Sequence, residues 1–274
     1  MNNLKINLHI TERCNFKCKY CFAYFNHRAD LPLESWKRII DDLKAYGDIS
    51  AINFAGGEPV LYKGFPELID YAKNLGFKVS IISNGSLLLN EKFTPPDVFS
   101  KLDTLGISVD SFNEKILIEL GRRDGNFHVL SEEKFIKIIE CAKSVNPSIK
   151  IKINTVVSQI NKNERLTEIE NRVEINRWKF LNTKLFETEN FSNRNLLVSD
   201  EEFQKFIERN PRENGESVFE KKISRSYIMI DNVGNMLDDF GEDYEIVGNI
   251  LEEKFSNVFS RFQLDKELYQ SRYV

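Results

Sequence analysis

Several short stretches of this chain alternate apolar and polar residues with the period of a β-strand, and between them apolar residues recur at helical spacing. In Lys5–Ile10 the apolar residues share one face while Asn7 and His9 take the other; Trp36, Ile39, Ile40 and Leu43 then trace the stripe of an amphipathic helix. Strands are expected over 51–55 and 78–83, with a helix carrying Phe65, Leu68, Ile69 and Ala72 between them and Asn84-Gly85 as the stop. The pattern continues with strands over 103–110, 148–156 and 177–181 and a helix built on Phe135, Ile138, Ile139 and Ala142. Pro95-Pro96 and Arg122–Asn126 mark loops, the second inside a longer connection of the kind that carries function. Strand and helix in alternation predict a parallel sheet, and six βα units predict an α/β fold, a partial (βα)6 barrel of the TIM type.

Beyond about Asn190 the pattern changes. Phe203, Phe206 and Ile207 make a short helix face, 210–217 is rich in turn residues, and Tyr227–Ile230 and Met236-Leu237 read as a hairpin around Asn232-Val-Gly-Asn235. Leu251, Phe255, Val258, Phe259 and Phe262 give a last helix. Residues 1–190 are therefore read as the barrel and 191–274 as an extension that covers its open side, since a separate domain there would have a thin core.

Helices around a barrel cover the outward face of each strand, so the polar face must line the interior. With Ile149, Ile151 and Ile153 outward, Lys150, Lys152 and Asn154 turn inward; Trp178 and Phe180 outward turn Arg177 and Lys179 inward. Leu105, Ile107 and Val109 leave Ser108 and Asp110 for the lumen, where Asn7, His9 and Asn53 join them. Buried lysines and arginines need an anionic partner. The competing reading is an edge strand whose charged face meets solvent.

Composition narrows the partners. The 274 residues are 41% hydrophobic with a net charge of −4 and a pI near 5.6, so general binding to nucleic acid or to an anionic membrane is not expected, and any anionic ligand must be met by a local basic cluster. No stretch reaches the length of a membrane span, and the first strand begins close to Met1, which predicts a cytoplasmic protein without a signal peptide.

Three of the four cysteines lie within Cys14-Asn-Phe-Lys-Cys18-Lys-Tyr-Cys21, directly behind the first strand. They cannot form a disulfide framework, because a partner is left over and Cys141 sits on a helix pattern. Three thiolates so close ask for a metal: a zinc site would need a fourth ligand, for which His27 is the candidate, whereas a 4Fe-4S cluster on Cys14, Cys18 and Cys21 keeps one iron open for chemistry. Together with Asn53-Phe-Ala-Gly-Gly-Glu58-Pro59 at the end of the second strand, the cysteine spacing resembles the radical S-adenosylmethionine enzymes. That resemblance implies a radical-SAM partial barrel, with S-adenosylmethionine on the open iron and its methionine amino group met by Gly56, Gly57 and Glu58. Glycines let the backbone come close, and a carboxylate balances the ammonium.

A narrower resemblance is to the viperin family, especially its prokaryotic members. It rests on Asn7-Leu-His9, the cysteine run through Phe22, Leu31-Pro-Leu-Glu34, Ile52 through Pro59, Ser83-Asn-Gly-Ser-Leu87, Asp110-Ser-Phe112, Gly121-Arg122, Lys152-Ile-Asn154, Arg177-Trp-Lys179 and Ser226-Tyr227 through Asp231. It implies conversion of a nucleoside triphosphate (CTP, UTP or GTP) to its 3'-deoxy-3',4'-didehydro analogue, in antiviral or antiphage defence. A 5'-deoxyadenosyl radical would take the ribose 4' hydrogen, and the 3' hydroxyl would leave with a proton and one further electron. An electron donor such as flavodoxin or ferredoxin is implied. Asn7, Lys152, Asn154, Arg177 and Lys179 would bind the nucleotide, Asn84, Ser108, Arg122 and Tyr20 would join the cofactor set, and Tyr227 would be the general acid.

Two departures stand out. Ala51 occupies an inward position where the animal proteins have lysine, so the resemblance implies one nucleotide contact fewer and leaves the base open, and the final Leu268–Val274 differs from the animal C-terminus. Simpler roles exist for individual residues: strand-end hydrogen bonding for Ser108 and Asn84, a surface pair with Asp124 for Arg122, and ring packing for Tyr227. A radical enzyme acting on another small molecule or peptide, and a non-catalytic zinc or Fe-S module, are the rival functions.

Overall fold

A computed structural model describes residues 3–23, 29–184, 191–212, 215–220, 225–239 and 244–273. His27, the candidate fourth zinc ligand, and the expected domain boundary at 190 lie outside the described residues.

The predicted alternation folds as strands β1 (Leu4–His9), β2 (Ile49–Ala55), β3 (Lys78–Ser83), β4 (Thr104–Ser108), β5 (Lys150–Val157) and β6 (Arg177–Asn182), all parallel and adjacent in sequence order. Helices α1 (Leu33–Tyr46), α2 (Phe65–Asn74), α3 (Asp97–Lys101), α4 (Glu114–Glu119) and α5 (Glu132–Val145) occupy the first four crossovers. The stripes Trp36, Ile39, Ile40, Leu43 and Phe65, Leu68, Ile69, Ala72 are buried as their spacing requires. Asn113 and Ser131 cap α4 and α5 by accepting from backbone N–H groups of the first turn. The fifth crossover departs from the expected βα unit: between β5 and β6 the described regular structure is a 3-10 turn, Thr167–Asn171.

The C-terminal part adds helix α6 (Asp200–Arg209), closed by a Ser199–Glu202 capping box, then strands β7 (Glu216–Glu220), β8 (Met229–Ile230), β9 (Asn235–Asp238) and β10 (Glu245–Asn249). The expected hairpin is β8–β9, antiparallel as predicted. Its placement was not legible, for β8 pairs parallel to β1 while β7 pairs parallel to β6, so the extension lengthens the barrel sheet at both edges into ten strands. Helix α7 (Phe255–Arg261) is shorter than its expected stripe, and Leu251 precedes it. A further helix, α8 (Lys266–Tyr273), was not expected, because among its described side chains only Tyr269 is buried and one aromatic makes no period. Phe203, Phe206, Ile230, Met236, Phe255, Val258 and Tyr269 belong to the same core cluster as Leu4, Ile52 and Trp178.

The inward parity holds for most of the expected residues. Ile149, Ile151, Ile153, Trp178 and Phe180 are buried in the core under the helices, while Lys152, Asn154 and Lys179 line the interior. Lys150 corrects the prediction: it opens β5 and is exposed, because it stands at the rim where the lumen ends.

Candidate active site

The loop after β1 is clamped from two sides. Gly57 N–H donates to Thr11 O at 2.7 Å and Glu58 N–H to Arg13 O at 2.8 Å, so the end of β2 runs directly beneath the cysteine loop. A Cβ on Gly56 would lie 2.3 Å from Thr11 O and one on Gly57 2.5 Å from Arg13 O, which is why both positions are glycine. Across the loop, Lys17 N–H donates to Gly121 O at 3.1 Å and Lys19 N–H to Leu120 O at 3.0 Å. Gly121 has a φ of +76° and a Cβ there would meet Lys17 O at 2.1 Å.

Held this way, Cys14, Cys18 and Cys21 line one cavity. Burial pushes the Cys14 and Cys18 thiols up to about 12 and the Cys21 thiol up to about 11, each raised further by a neighbouring cysteine. Three thiolates at this place need a strong positive charge among them, which is what a metal cluster supplies. Asn84 Nδ2 lies 3.7 Å from Cys14 Sγ and donates to Asn15 Oδ1 at 3.0 Å, while Ser86 N–H and Oγ–H donate to Asn84 Oδ1.

Of the expected cofactor residues, Tyr20, Gly56, Gly57, Asn84, Ser108 and Arg122 line the cavity. Glu58 does not. Its carboxylate is fully buried, accepting from Ser83 Oγ–H at 2.8 Å and Asn84 N–H at 2.7 Å, and burial raises it to about 7. It thus ties the end of β2 to the end of β3 behind the cavity wall.

Arg122 is likewise not where the surface alternative put it. Asp124 pairs with His128, and Arg122 Nε lies 3.1 Å from Asp110 Oδ2, both side chains buried. Tyr20 Oη–H donates to Asp110 Oδ2, Arg122 Nη2 donates to Ser108 O at 2.6 Å, and Val156 N–H donates to Asp110 Oδ1 at 2.6 Å. Burial pulls the Arg122 guanidinium down, but Asp110 together with Tyr20 and Cys18 outweighs it, so the arginine stays charged; burial and Asp110 raise the Tyr20 phenol well above its usual value.

Of the expected nucleotide residues, Asn7, Lys152, Asn154, Lys179 and Tyr227 line the same cavity. Arg177 is absent from that lining and pairs with Glu216 on β7 at 2.9 Å. Asn7 sits in a hydrogen-bonded ladder across β3, β2 and β1 that ends on the residue before β8. Ser80 Oγ–H donates to Asn53 Oδ1 at 2.9 Å, Asn53 Nδ2 donates to Asn7 Oδ1 at 3.1 Å, and Asn7 Nδ2 donates to Ile228 O at 3.0 Å. Near the cysteines, His9, Phe22 and Tyr227 meet edge to face, and His9 Nε2 is 3.4 Å from Tyr227 Oη. Burial lowers His9 to about 3, so its imidazole is neutral at physiological pH.

The Radical SAM superfamily profile matches residues 8–171. A protein of Selenomonas ruminantium named S-adenosylmethionine-dependent nucleotide dehydratase is 52% identical over 270 residues, spanning 98% of each chain. The chain belongs to this radical SAM family of nucleotide dehydratases. A Psychrobacter lutiphocae protein of the same name is 31% identical over 98% of this chain and 94% of its own. In fold, the crystal structure of Streptococcus suis SuiB bound to S-adenosylmethionine is similar, with a TM-score of 0.68 and 19% identity over 99% of this chain and 68% of that one.

As a radical SAM enzyme, the protein uses a 4Fe-4S cluster and S-adenosylmethionine, and the donor chemistry fits: three thiols of one short loop line the cavity, with close-packed glycines among the lining. The family assignment sets aside the zinc and non-catalytic readings. Among the described residues, no helix is long and apolar enough to cross a membrane. Sequence reasoning put Asp110 in the lumen without seeing that it anchors Arg122 and Tyr20, and left Lys5 without a role although it shares the strand parity of Asn7.

The buried pair makes a stability prediction. Replacing Arg122 with Met strands the Asp110 carboxylate, and the loss should be about 3 to 5 kcal/mol by urea unfolding. The double variant Arg122→Met, Asp110→Asn should recover part of it. Parent-like stability of the single variant would contradict the pairing.

Proposed function

We propose that this dehydratase acts on the ribose of a nucleoside triphosphate, CTP, UTP or GTP, and releases the 3'-deoxy-3',4'-didehydro analogue for antiviral or antiphage defence. The observation carrying this reading is one lumen with three thiols at one end and Lys152, Asn154 and Lys179 on its wall. Cys14, Cys18 and Cys21 would hold the cluster, and Gly56, Gly57, Asn84, Ser108, Arg122 and Tyr20 would surround S-adenosylmethionine. Glu58 would serve it indirectly, by fixing Asn84.

Reduced by one electron from a carrier such as flavodoxin or ferredoxin, a cluster on Cys14, Cys18 and Cys21 with S-adenosylmethionine beside it would supply a 5'-deoxyadenosyl radical, the species able to take the ribose 4' hydrogen. The chain does the rest by position. Lys152, Asn154 and Lys179 hold the phosphates, so that the ribose stands toward the cysteine end of the lumen. Arg177 supports that wall from its pair with Glu216. Tyr227 donates a proton to the leaving 3' hydroxyl, which departs as water when a second electron arrives; the neutral His9 beside it orients the phenol. A cytoplasmic setting suits the four free cysteines, which need reducing conditions.

The test follows the hydrogen. With nucleotide deuterated at the ribose 4' carbon, one deuterium should appear in 5'-deoxyadenosine by mass spectrometry. Deuterium arriving from another ribose position, or from none, would contradict the reading.

A further inference from the structure

Lys5 is the second residue of β1 and lines the same cavity as the cysteines. In register it stands directly beside Ala51 on β2, two residues below the Asn7–Asn53 pair whose side chains bond between the two neighbouring strands. Strand periodicity therefore turns Lys5 and Ala51 inward together. Ala51 is small, which leaves the lateral space beside it to the lysine stem.

The strand is fixed at this residue. Lys5 N–H donates to Tyr269 Oη at 2.6 Å, and Tyr269 is buried on α8, so the C-terminal helix completes the barrel where β8 no longer reaches. Burial, and then the charge of Arg177, lower the Lys5 ammonium to about 8. Lys5 thus stands at the foot of the lumen within the field of Arg177, which lies outside the cavity lining and pairs with Glu216. From His9 at the cysteine end to Lys5 is four residues of strand, roughly 13 Å. A ribose triphosphate whose sugar stands near His9 and Tyr227 can extend its phosphates down that length.

We infer that Lys5 contacts the terminal phosphate of the nucleotide at the floor of the lumen, supplying from β1 the cation that Ala51 does not supply from β2. The assignment rests on the triphosphate reading above. It gives the enzyme a measure of phosphate-chain length, because a diphosphate anchored by Lys152 and Lys179 stops short of Lys5.

The test is anaerobic titration calorimetry on the reconstituted holoenzyme, with CTP, UTP and GTP and the matching diphosphates in parallel. Lys5→Met keeps the apolar stem and removes the charge; it should weaken triphosphate binding on the order of 10- to 100-fold and diphosphate binding by less than about 3-fold. Moving the cation to the neighbouring strand in Lys5→Met, Ala51→Lys should restore most of the loss. Unchanged triphosphate affinity in Lys5→Met, equal loss for both phosphate lengths, or no recovery in the double variant overturns the assignment. Lys179→Ala separates the two readings: if it weakens both nucleotides while Lys5→Met weakens neither, the Lys5 contact alone is wrong, and if neither variant has any effect, the triphosphate reading falls with it.

Discussion

A Cys18→Ala protein should lose its cluster and with it all reductive cleavage of S-adenosylmethionine. Cys18 is the middle of three thiols on a loop pinned on one side by Gly57 and Glu58 and on the other by Gly121, so no other cysteine can move in to replace it. Cys141, the remaining thiol, lies on α5 against the hydrophobic core. With two ligands left, a cubane loses the anchoring that sets its place and potential. Iron and sulfide analysis after anaerobic reconstitution, with 5'-deoxyadenosine counted after dithionite reduction, reads the outcome. Cys141→Ala, by contrast, should keep both. A Cys18→Ala protein that retained a full cluster and cleaved the cofactor would sink the assignment of this loop.

For Tyr227→Phe, formation of the didehydro nucleotide should fall by about 10²- to 10⁴-fold, the usual contribution of a positioned acid. Cofactor cleavage and hydrogen transfer from the 4' carbon should survive, because the ring that packs against His9 and Phe22 is kept and only the hydroxyl is lost. Of the two neighbours the tyrosine is the better suited proton donor: burial lowers His9 to about 3 and leaves its ring neutral, whereas a phenol is protonated at neutral pH. Product formation as fast as in the parent would reduce Tyr227 to a packing residue.

Much of this site could be read without coordinates because strand parity and motif spacing are local rules. Alternation alone turned Lys152, Asn154 and Lys179 into the lumen, since an isoleucine or tryptophan that must meet a helix fixes the direction of its neighbour. Cysteine spacing behind β1 and the glycine pair behind β2 carried the family resemblance that implied the cofactors, and both motifs lie at adjoining strand ends. What parity cannot give is depth or partner. Arg177 has the inward parity of Lys179, yet two residues of rise take it out of the cavity lining and into reach of Glu216, which belongs to a strand whose place in the sheet no local pattern announces.

The sequence by itself therefore determined the strand order of the barrel, most of its inward-facing residues and the place of the three cysteines behind β1, all set by contacts between neighbours along or one strand away in the chain. Only the tertiary structure decided that Glu58 is held behind the wall by Ser83 and Asn84, and that Asp110 anchors Arg122. It also decided that β7 and β8 join opposite edges of one sheet and that Tyr269 meets Lys5. Those pairings join residues far apart in the chain, and a buried carboxylate or backbone N–H accepts whichever partner the packed chain brings within hydrogen-bond reach.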